Sequence, residues 1–146
     1  MAKQGKVTKD YANLLSHDGW NIAYVCIPNT AHIGVVPIPT PHGTGKQRYP
    51  DIVAFKDKRL LIVEVEILLN EYVYEDISLR FSEMNYSLND KSVFSSWSGL
   101  VSNYLGIDIP KDINIENQLL IIKPIKPEYF KYKDLLELAN IEVVLP

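Results

Sequence analysis

Two short apolar runs, separated by the charged turn KDKR, constrain the fold of this chain more than any other feature. The first run covers residues 52–55 (IVAF) and the second covers residues 60–68 (LLIVEVEIL). Runs of this kind, joined by a short polar turn, predict a β-hairpin. Asp51 precedes the first run, and Glu64 and Glu66 interrupt the second. Because a carboxylate in a buried strand is costly unless it is paired, hydrated or bound to a cation, the hairpin predicts a compensating partner.

Length and composition predict a single soluble domain over residues 1–146. With 47% hydrophobic and 23% charged residues, the chain can bury a core of its own. The first ten residues are polar, and no apolar run approaches the ~18 residues that cross a bilayer. We therefore expect neither a signal peptide nor a membrane partner. The single cysteine, Cys26, is interpreted as a buried hydrophobe, and a cytoplasmic location is the default expectation.

The net charge of the chain limits the kinds of molecule that it is expected to bind. A net charge of -3 argues against a protein that coats nucleic acid through a wide basic surface. It agrees with an enzyme that recruits divalent cations to a carboxylate cluster while local lysines and arginines hold phosphates. Nucleic acid therefore remains a possible substrate.

The periodicity of the remaining chain predicts one sheet flanked by helices. We expect helices at residues 6–17, 71–89, 93–104 and 127–140, and strands at residues 21–28, 52–55, 60–68, 118–123 and 141–145. Residues 29–49 are rich in Pro and Gly and predict a long loop, with residues 33–38 as a candidate edge strand. A hairpin combined with a helical crossover predicts an α/β domain with a mixed β-sheet.

The register of the hairpin decides whether its acidic side chains meet. Glu64 and Glu66 project to the same side because side chains alternate along a strand. If the turn contains an even number of residues, either 57–58 or 56–59, Asp51 lies opposite Glu64. Facing residues have Cβ atoms about 4.5–5.5 Å apart, and facing like charges destabilise the pair. A divalent cation would reverse that effect, and Mg²⁺, with Mn²⁺ as a substitute, takes carboxylate, water and phosphate oxygens.

These residues resemble a known family. Pro50-Asp51, with Glu64-Val65-Glu66 thirteen positions after the aspartate, is similar to the motif of the PD-(D/E)xK phosphodiesterase superfamily. That superfamily includes type II restriction endonucleases, junction resolvases and repair nucleases. Its restriction endonuclease-like core runs helix, three strands, helix, strand (αβββαβ), which matches the order predicted for most of this chain. The resemblance implies that Asp51 and Glu64 bind the metal ion and that Asp10, on the first helix, is an additional acidic ligand.

The chain departs from the family pattern at one position. The motif usually ends in Lys, whereas this chain has Glu66, as some restriction endonucleases of the superfamily do. A lysine would orient and polarise the attacking water. Glu66 could instead serve as the general base or as a ligand of a second metal ion. The resemblance thus implies catalytic roles for Asp51, Glu64 and Glu66, with Glu66 also a candidate metal ligand.

Basic residues before the motif offer a phosphate contact. Lys46 and Arg48 lie just before Asp51 and could contact the DNA backbone. Solvated loop charges are the equally open interpretation. The same holds for the acidic residues, since carboxylates at a strand end often form a solvated face.

Together these features predict a Mg²⁺-dependent DNA endonuclease, most similar to a small type II restriction endonuclease. A homodimer is expected because two-fold symmetry suits cleavage of both strands of a palindromic site. Residues 29–49 are the candidate DNA-recognition loop. A junction resolvase or repair nuclease is the nearest enzymatic alternative. A catalytically inactive nuclease-fold module that binds protein or nucleic acid is the alternative from a different class.

Overall fold

The chain folds into helices and strands in a computed structural model that describes residues 2–26, 36–39 and 47–145. The helices in these ranges are α1 (Ala2–His17), α2 (Glu71–Leu88), α3 (Lys91–Leu105) and α4 (Phe130–Leu138), and a 3-10 turn at Pro127–Tyr129 precedes α4. The strands are β1 (Asn21–Val25), β2 (Ile38–Pro39), β3 (Gln47–Arg48), β4 (Ile52–Lys56), β5 (Arg59–Glu66), β6 (Asn114–Ile121) and β7 (Ile141–Val144). None of the described helices is long and apolar enough to cross a bilayer.

The main sheet has five strands in the order β1-β4-β5-β6-β7. β1, β4 and β5 pair antiparallel, whereas β5, β6 and β7 pair parallel. Parallel neighbours require a crossover, which α2 and α3 supply between β5 and β6 and α4 supplies between β6 and β7. The predicted α/β class with a mixed sheet flanked by helices is confirmed. β2 and β3 form a separate two-stranded sheet.

The predicted elements are present, but several of their ends differ. β6 begins at Asn114 rather than at residue 118, because it pairs in parallel with the whole length of β5. Its first half is partly exposed, so the sequence lacks the apolar run that marks the second half. β1 ends at Val25 rather than at residue 28. Of the candidate edge strand at residues 33–38, Ile38 pairs with β3, and residues 33–35 lie outside the described residues.

The β4–β5 hairpin has the predicted register. Its turn consists of Asp57 and Lys58, and Asp57 has a φ of 53°, a left-handed conformation that short polar side chains tolerate. Ile52 faces Val63 and each later position follows in step. A turn of two residues therefore places Asp51, just before β4, across from Glu64.

The two faces of the sheet are covered by different helices. The face under α2, α3 and α4 buries alternate hairpin residues, including Val53, Phe55, Leu60 and Ile62. The opposite face, under α1, buries the intervening residues, including Ile52, Ala54, Leu61, Val63 and Val65. By the same alternation, Asp51, Glu64 and Glu66 belong to the face under α2.

Candidate active site

Asp51 and Glu64 hold each other in place across the hairpin. The backbone N–H of Asp51 donates to Glu64 Oε1 at 3.1 Å. The backbone N–H of Val65 donates to Asp51 Oδ2 at 2.7 Å. Each carboxylate is thus fixed by the backbone of the other strand, and the predicted opposition of the two acids is confirmed.

Arg80 of α2 is the positive charge that faces this pair. Its Nη1 lies 2.9 Å from Glu64 Oε2 and 3.8 Å from Asp76 Oδ2. The side chain of Glu64 is 2% exposed and that of Arg80 is 28% exposed. Arg80 therefore supplies part of the compensation that carboxylates in a buried strand require.

Sequence reasoning missed Arg80, although a weak signal was present. Arg80 directly precedes buried Phe81 and follows buried Ile77 by three positions, so helical spacing places it at the border of the apolar face of α2. A charged residue at such a border can reach over the sheet. Which strand it reaches depends on how α2 lies on the sheet, and the sequence pattern does not specify that.

Burial shapes the electrostatics of the two acids. Burial raises the pKa of Asp51 to about 6, against the opposing effects of the Val65 N–H and of Arg80. Burial also raises the pKa of Glu64, to about 8, and the Asp51 charge adds to the rise while Arg80 opposes it. Two facing carboxyls under a low-dielectric cover favour a shared proton or a bound cation over two bare negative charges.

Glu66 lies one step further along the same face, at the end of β5. It is half-buried. Burial raises its pKa, Arg80 opposes the rise, and the charges of Asp51 and Asp76 add to it. Across residues 2–26, 36–39 and 47–145, no group of three or more His, Cys, Asp or Glu side chains is placed to hold a metal ion. The structure thus brings Asp51 and Glu64 together without adding Glu66 to a three-carboxylate cluster.

Asp10 does not join the pair either. It is exposed on α1, where its carboxylate pairs with Lys6 at 2.8 Å. The α1 side chain that contacts this end of β5 is Gln4, whose Nε2 donates to the Val65 carbonyl oxygen at 2.7 Å. An α-helix rises 1.5 Å per residue, so Asp10 lies roughly 9 Å further along the helix axis than Gln4. Nothing in the sequence singled out Gln4, because one amide on a polar helix carries no signal.

The two predicted phosphate contacts have different outcomes. Arg48 is engaged with Glu83 of α2, with its Nε 2.9 Å from Glu83 Oε1. The two side chains are 20% and 19% exposed, so this ion pair anchors β3 to α2. A phosphate contact by Arg48 would compete with that anchor. Lys46 lies outside the described residues.

Tyr24 and Cys26 border the acids from the β1 side. The backbone N–H of Cys26 donates to the carbonyl of Asp51 at 2.8 Å. Tyr24 pairs with Val53, one step away on the same face of the sheet. Its hydroxyl is the one buried side-chain nitrogen or oxygen in the described part of the chain that has no hydrogen-bond partner.

No protein-family model and no curated protein sequence matches this chain. The site geometry is therefore the basis for a functional proposal. Its donor set fits Mg²⁺ or Mn²⁺, because these ions take hard carboxylate oxygens and are commonly held by one or two carboxylates with water and phosphate. The unpartnered hydroxyl of Tyr24 beside the acids also fits a bound polar group.

In the absence of divalent cations, thermal stability is expected to fall as the pH rises. The pKa values of Asp51 and Glu64 are raised to about 6 and about 8 in the folded chain. At a pH between the ordinary pKa of a carboxyl group and these raised values, the folded chain therefore binds more protons than the unfolded chain. The unfolding free energy therefore falls with pH through this window. Melting temperatures in EDTA from about pH 5 to about pH 8 measure the effect.

Two variants test whether Glu64 causes this pH dependence of thermal stability. Glu64→Gln cannot titrate and should flatten the profile. Glu116→Gln changes an acid that pairs with Arg59 on the exposed surface, and it should leave the slope unchanged. A wild-type profile that is flat or rises across this window would show that the pair does not hold a proton in the folded state.

Proposed function

We propose that this chain is a metal-dependent DNA endonuclease of the PD-(D/E)xK type, most similar to a small type II restriction endonuclease. The observation that carries the proposal is the direct opposition of Asp51 and Glu64, fixed by reciprocal backbone hydrogen bonds. The observed order also supports it: α1, then β1, β4 and β5 of the main sheet, then α2 and β6, corresponds to the αβββαβ core that the resemblance implies.

The position of the acids in the sheet supports the same proposal. Glu64 and Glu66 lie at the carboxyl end of β5, beside the carboxyl end of the parallel strand β6. Ligands of open α/β sheets bind outside the carboxyl ends of the strands. The two ends of the segment between β1 and β4 also meet here, since the Cys26 N–H donates to Asp51 O. The candidate recognition loop, residues 29–49, lies between Cys26 and Asp51 in the sequence, and we propose that it contacts DNA.

Asp51 and Glu64 would hold Mg²⁺, or Mn²⁺ as a substitute. When bound, the ion would lower the pKa of an attacking water and neutralise charge on the phosphodiester. Both carboxylates are kept in place by backbone N–H groups, so they would bind with little rearrangement. The raised pKa values of the pair make binding pH-dependent, because the carboxyls must lose protons to act as ligands.

Glu66 and Arg80 would act on the reacting groups. Glu66 is half-buried with a raised pKa, which suits a carboxylate that accepts a proton from the attacking water. The planar guanidinium of Arg80 matches the geometry of phosphate oxygens, and it already contacts Glu64, one of the two proposed metal ligands. Arg80 would therefore bind a non-bridging oxygen of the phosphate.

An inactive binding module of the same fold is the second candidate. The observation that favours it is the Arg80–Glu64 ion pair at 2.9 Å, which neutralises the site without a metal ion. In that case Arg80 has a structural role, and the chain binds DNA or protein without cleaving it. A junction resolvase or repair nuclease would share the chemistry of the leading proposal and differ in the DNA structure that it recognises.

Cleavage assays with the purified full chain test the proposal. Supercoiled plasmid, linear DNA and branched junctions are incubated with Mg²⁺, Mn²⁺ or EDTA. Nicked or linear products that require the divalent ion are expected, and cleavage confined to junctions would assign a resolvase. Asp51→Asn, purified in parallel, excludes a contaminating nuclease. If every substrate stays intact, the inactive binding module becomes the better-supported proposal.

The proposal includes the assembly and the location of the protein. A homodimer would place two copies of the site on the two strands of a palindromic sequence, and sedimentation with and without DNA measures it. A cytoplasmic location remains a prediction, and the single free thiol of Cys26 agrees with a reducing compartment.

Substitutions of Glu66 test whether its carboxylate takes part in the cleavage reaction. If Glu66 accepts the proton, Glu66→Gln should lower turnover by roughly 10²-fold or more with DNA affinity nearly unchanged, because it removes basicity with little change in shape. Glu66→Lys restores the usual family residue, but among neighbours that accommodate an anion. We expect low activity and an altered metal preference. Single-turnover rates and DNA binding in Ca²⁺ measure both effects.

The opposite pattern would contradict this role. Full activity in Glu66→Gln together with a gain in Glu66→Lys would show that the carboxylate has no chemical function. Glu116→Gln is the matched control, because it neutralises an acid on β6 that pairs with Arg59 on the exposed surface.

A further inference from the structure

Tyr24 has a buried hydroxyl that the fold does not explain. The residue is 7% exposed, and its hydroxyl has no hydrogen-bond partner in the described part of the chain. Burying a hydroxyl without a hydrogen-bond partner lowers stability, so native proteins contain few such groups. A phenylalanine would fill the same space without that cost. The hydroxyl therefore indicates a function other than packing.

The surroundings of Tyr24 point to the acidic pair. Tyr24 faces Val53 across the β1–β4 pair, and the neighbouring row of the sheet holds Cys26, Asp51 and Glu64. Besides burial, Cys26 and then Glu64 act electrostatically on the Tyr24 hydroxyl and raise its pKa. This phenol nevertheless donates to neither carboxylate. A group between them that accepts from the hydroxyl and binds at the carboxylates would satisfy both.

We infer that Tyr24 is a positioning residue whose hydroxyl donates a hydrogen bond to an oxygen bound at the Asp51–Glu64 site. This inference rests on the proposed function. The oxygen belongs to a water or to a phosphate held there together with the divalent cation, and both accept a hydrogen bond in the same way. The bond would orient that oxygen with respect to Asp51 and Glu64. A structural water with no link to the cation is the alternative occupant that the test must separate.

Tyr24→Phe is the decisive variant because it removes only the hydroxyl. In EDTA its melting temperature should equal or exceed that of wild type, since the change removes an unsatisfied buried polar group. With the cation, it should lose about tenfold in Mn²⁺ affinity or in DNA turnover, the equivalent of one hydrogen bond of about 1.4 kcal/mol. A structural role alone would lower stability and leave the metal titration unchanged.

Tyr11→Phe is the matched control. The Tyr11 hydroxyl donates to Gln118 Oε1 at 2.7 Å, and Tyr11 packs on the α1 side of the sheet. This substitution should lower the melting temperature and leave Mn²⁺ binding and cleavage at wild-type levels. The two phenylalanine variants should therefore have opposite effects on stability and on the site.

The two arms of the experiment assign the oxygen. Weaker Mn²⁺ binding by Tyr24→Phe without DNA assigns a water. Normal Mn²⁺ binding with slower single-turnover cleavage at saturating DNA assigns a phosphate oxygen. Wild-type Mn²⁺ binding and wild-type cleavage in Tyr24→Phe would overturn this inference but not the proposed function. A lower melting temperature of Tyr24→Phe in EDTA would do the same, because it would show that the hydroxyl already has a partner within the fold. A wild-type chain that neither binds Mn²⁺ nor cleaves DNA removes the proposed function and this inference with it.

Discussion

Asp51→Asn and Glu64→Gln are each expected to abolish Mg²⁺-dependent DNA cleavage. Each substitution removes one of the two charges that would hold the ion, and the ion would both activate water and stabilise charge on the phosphate. Losses of several kcal/mol in the barrier, roughly 10³-fold or more in rate, are therefore expected. Single-turnover cleavage of plasmid DNA measures the loss.

The stability of the same variants separates a failed site from a failed fold. In EDTA, Asp51→Asn should be as stable as wild type or more stable, because it relieves repulsion with Glu64 and retains an oxygen to accept the Val65 N–H. Asp112→Asn is the matched control, since Asp112 is an exposed acid paired with Lys58. It should cleave normally. Wild-type cleavage rates in both site variants would show that the pair holds no catalytic ion.

Removal of Arg80 is expected to have the largest effect on stability. Above the raised Glu64 pKa of about 8, Arg80→Ala leaves an ionised Glu64 buried without its positive partner, and breaking a buried ion pair in this way costs about 3–5 kcal/mol. The cost should shrink as the pH falls, because Glu64 can then take up a proton. Divalent cations should restore part of the melting temperature, since a ligand that binds the folded state stabilises it by mass action.

Two controls make the Arg80 result specific. Arg80→Lys keeps the charge and should lose less stability than Arg80→Ala. Lys58→Ala removes the partner of Asp112 in an exposed ion pair and should leave the melting temperature nearly unchanged. A small loss in Arg80→Ala that is independent of pH would contradict the role of Arg80 as the compensating charge.

The hairpin could be predicted in detail because its determinants are local. A polar turn of even length and strict alternation of side chains fix which residues face each other. The opposition of Asp51 and Glu64 followed from these alone. The start of β6 at Asn114 could not be predicted from such local features, because its pairing with β5 depends on a long crossover and its first residues are partly exposed.

The cationic side of the site could not be predicted, because it comes from tertiary packing. Arg80 reaches Glu64 only through the way α2 lies on the sheet. Gln4 is the α1 residue that contacts the end of β5, through the Val65 carbonyl, whereas the family resemblance pointed to Asp10 on the same helix. Tyr24 reads in the sequence as an ordinary strand residue, and its unpartnered hydroxyl becomes visible only when its surroundings are known.

Calorimetric titration with Mg²⁺ and Mn²⁺ is the most direct test of the central claim, that Asp51 and Glu64 share a divalent cation. At about pH 8, wild type should show saturable binding, with weaker binding and greater proton release at about pH 6 as the cation displaces protons from the pair. Asp51→Asn, folded and stable in EDTA, should show no saturable binding. Equal binding by wild type and Asp51→Asn, or no binding by wild type at either pH, would contradict the claim.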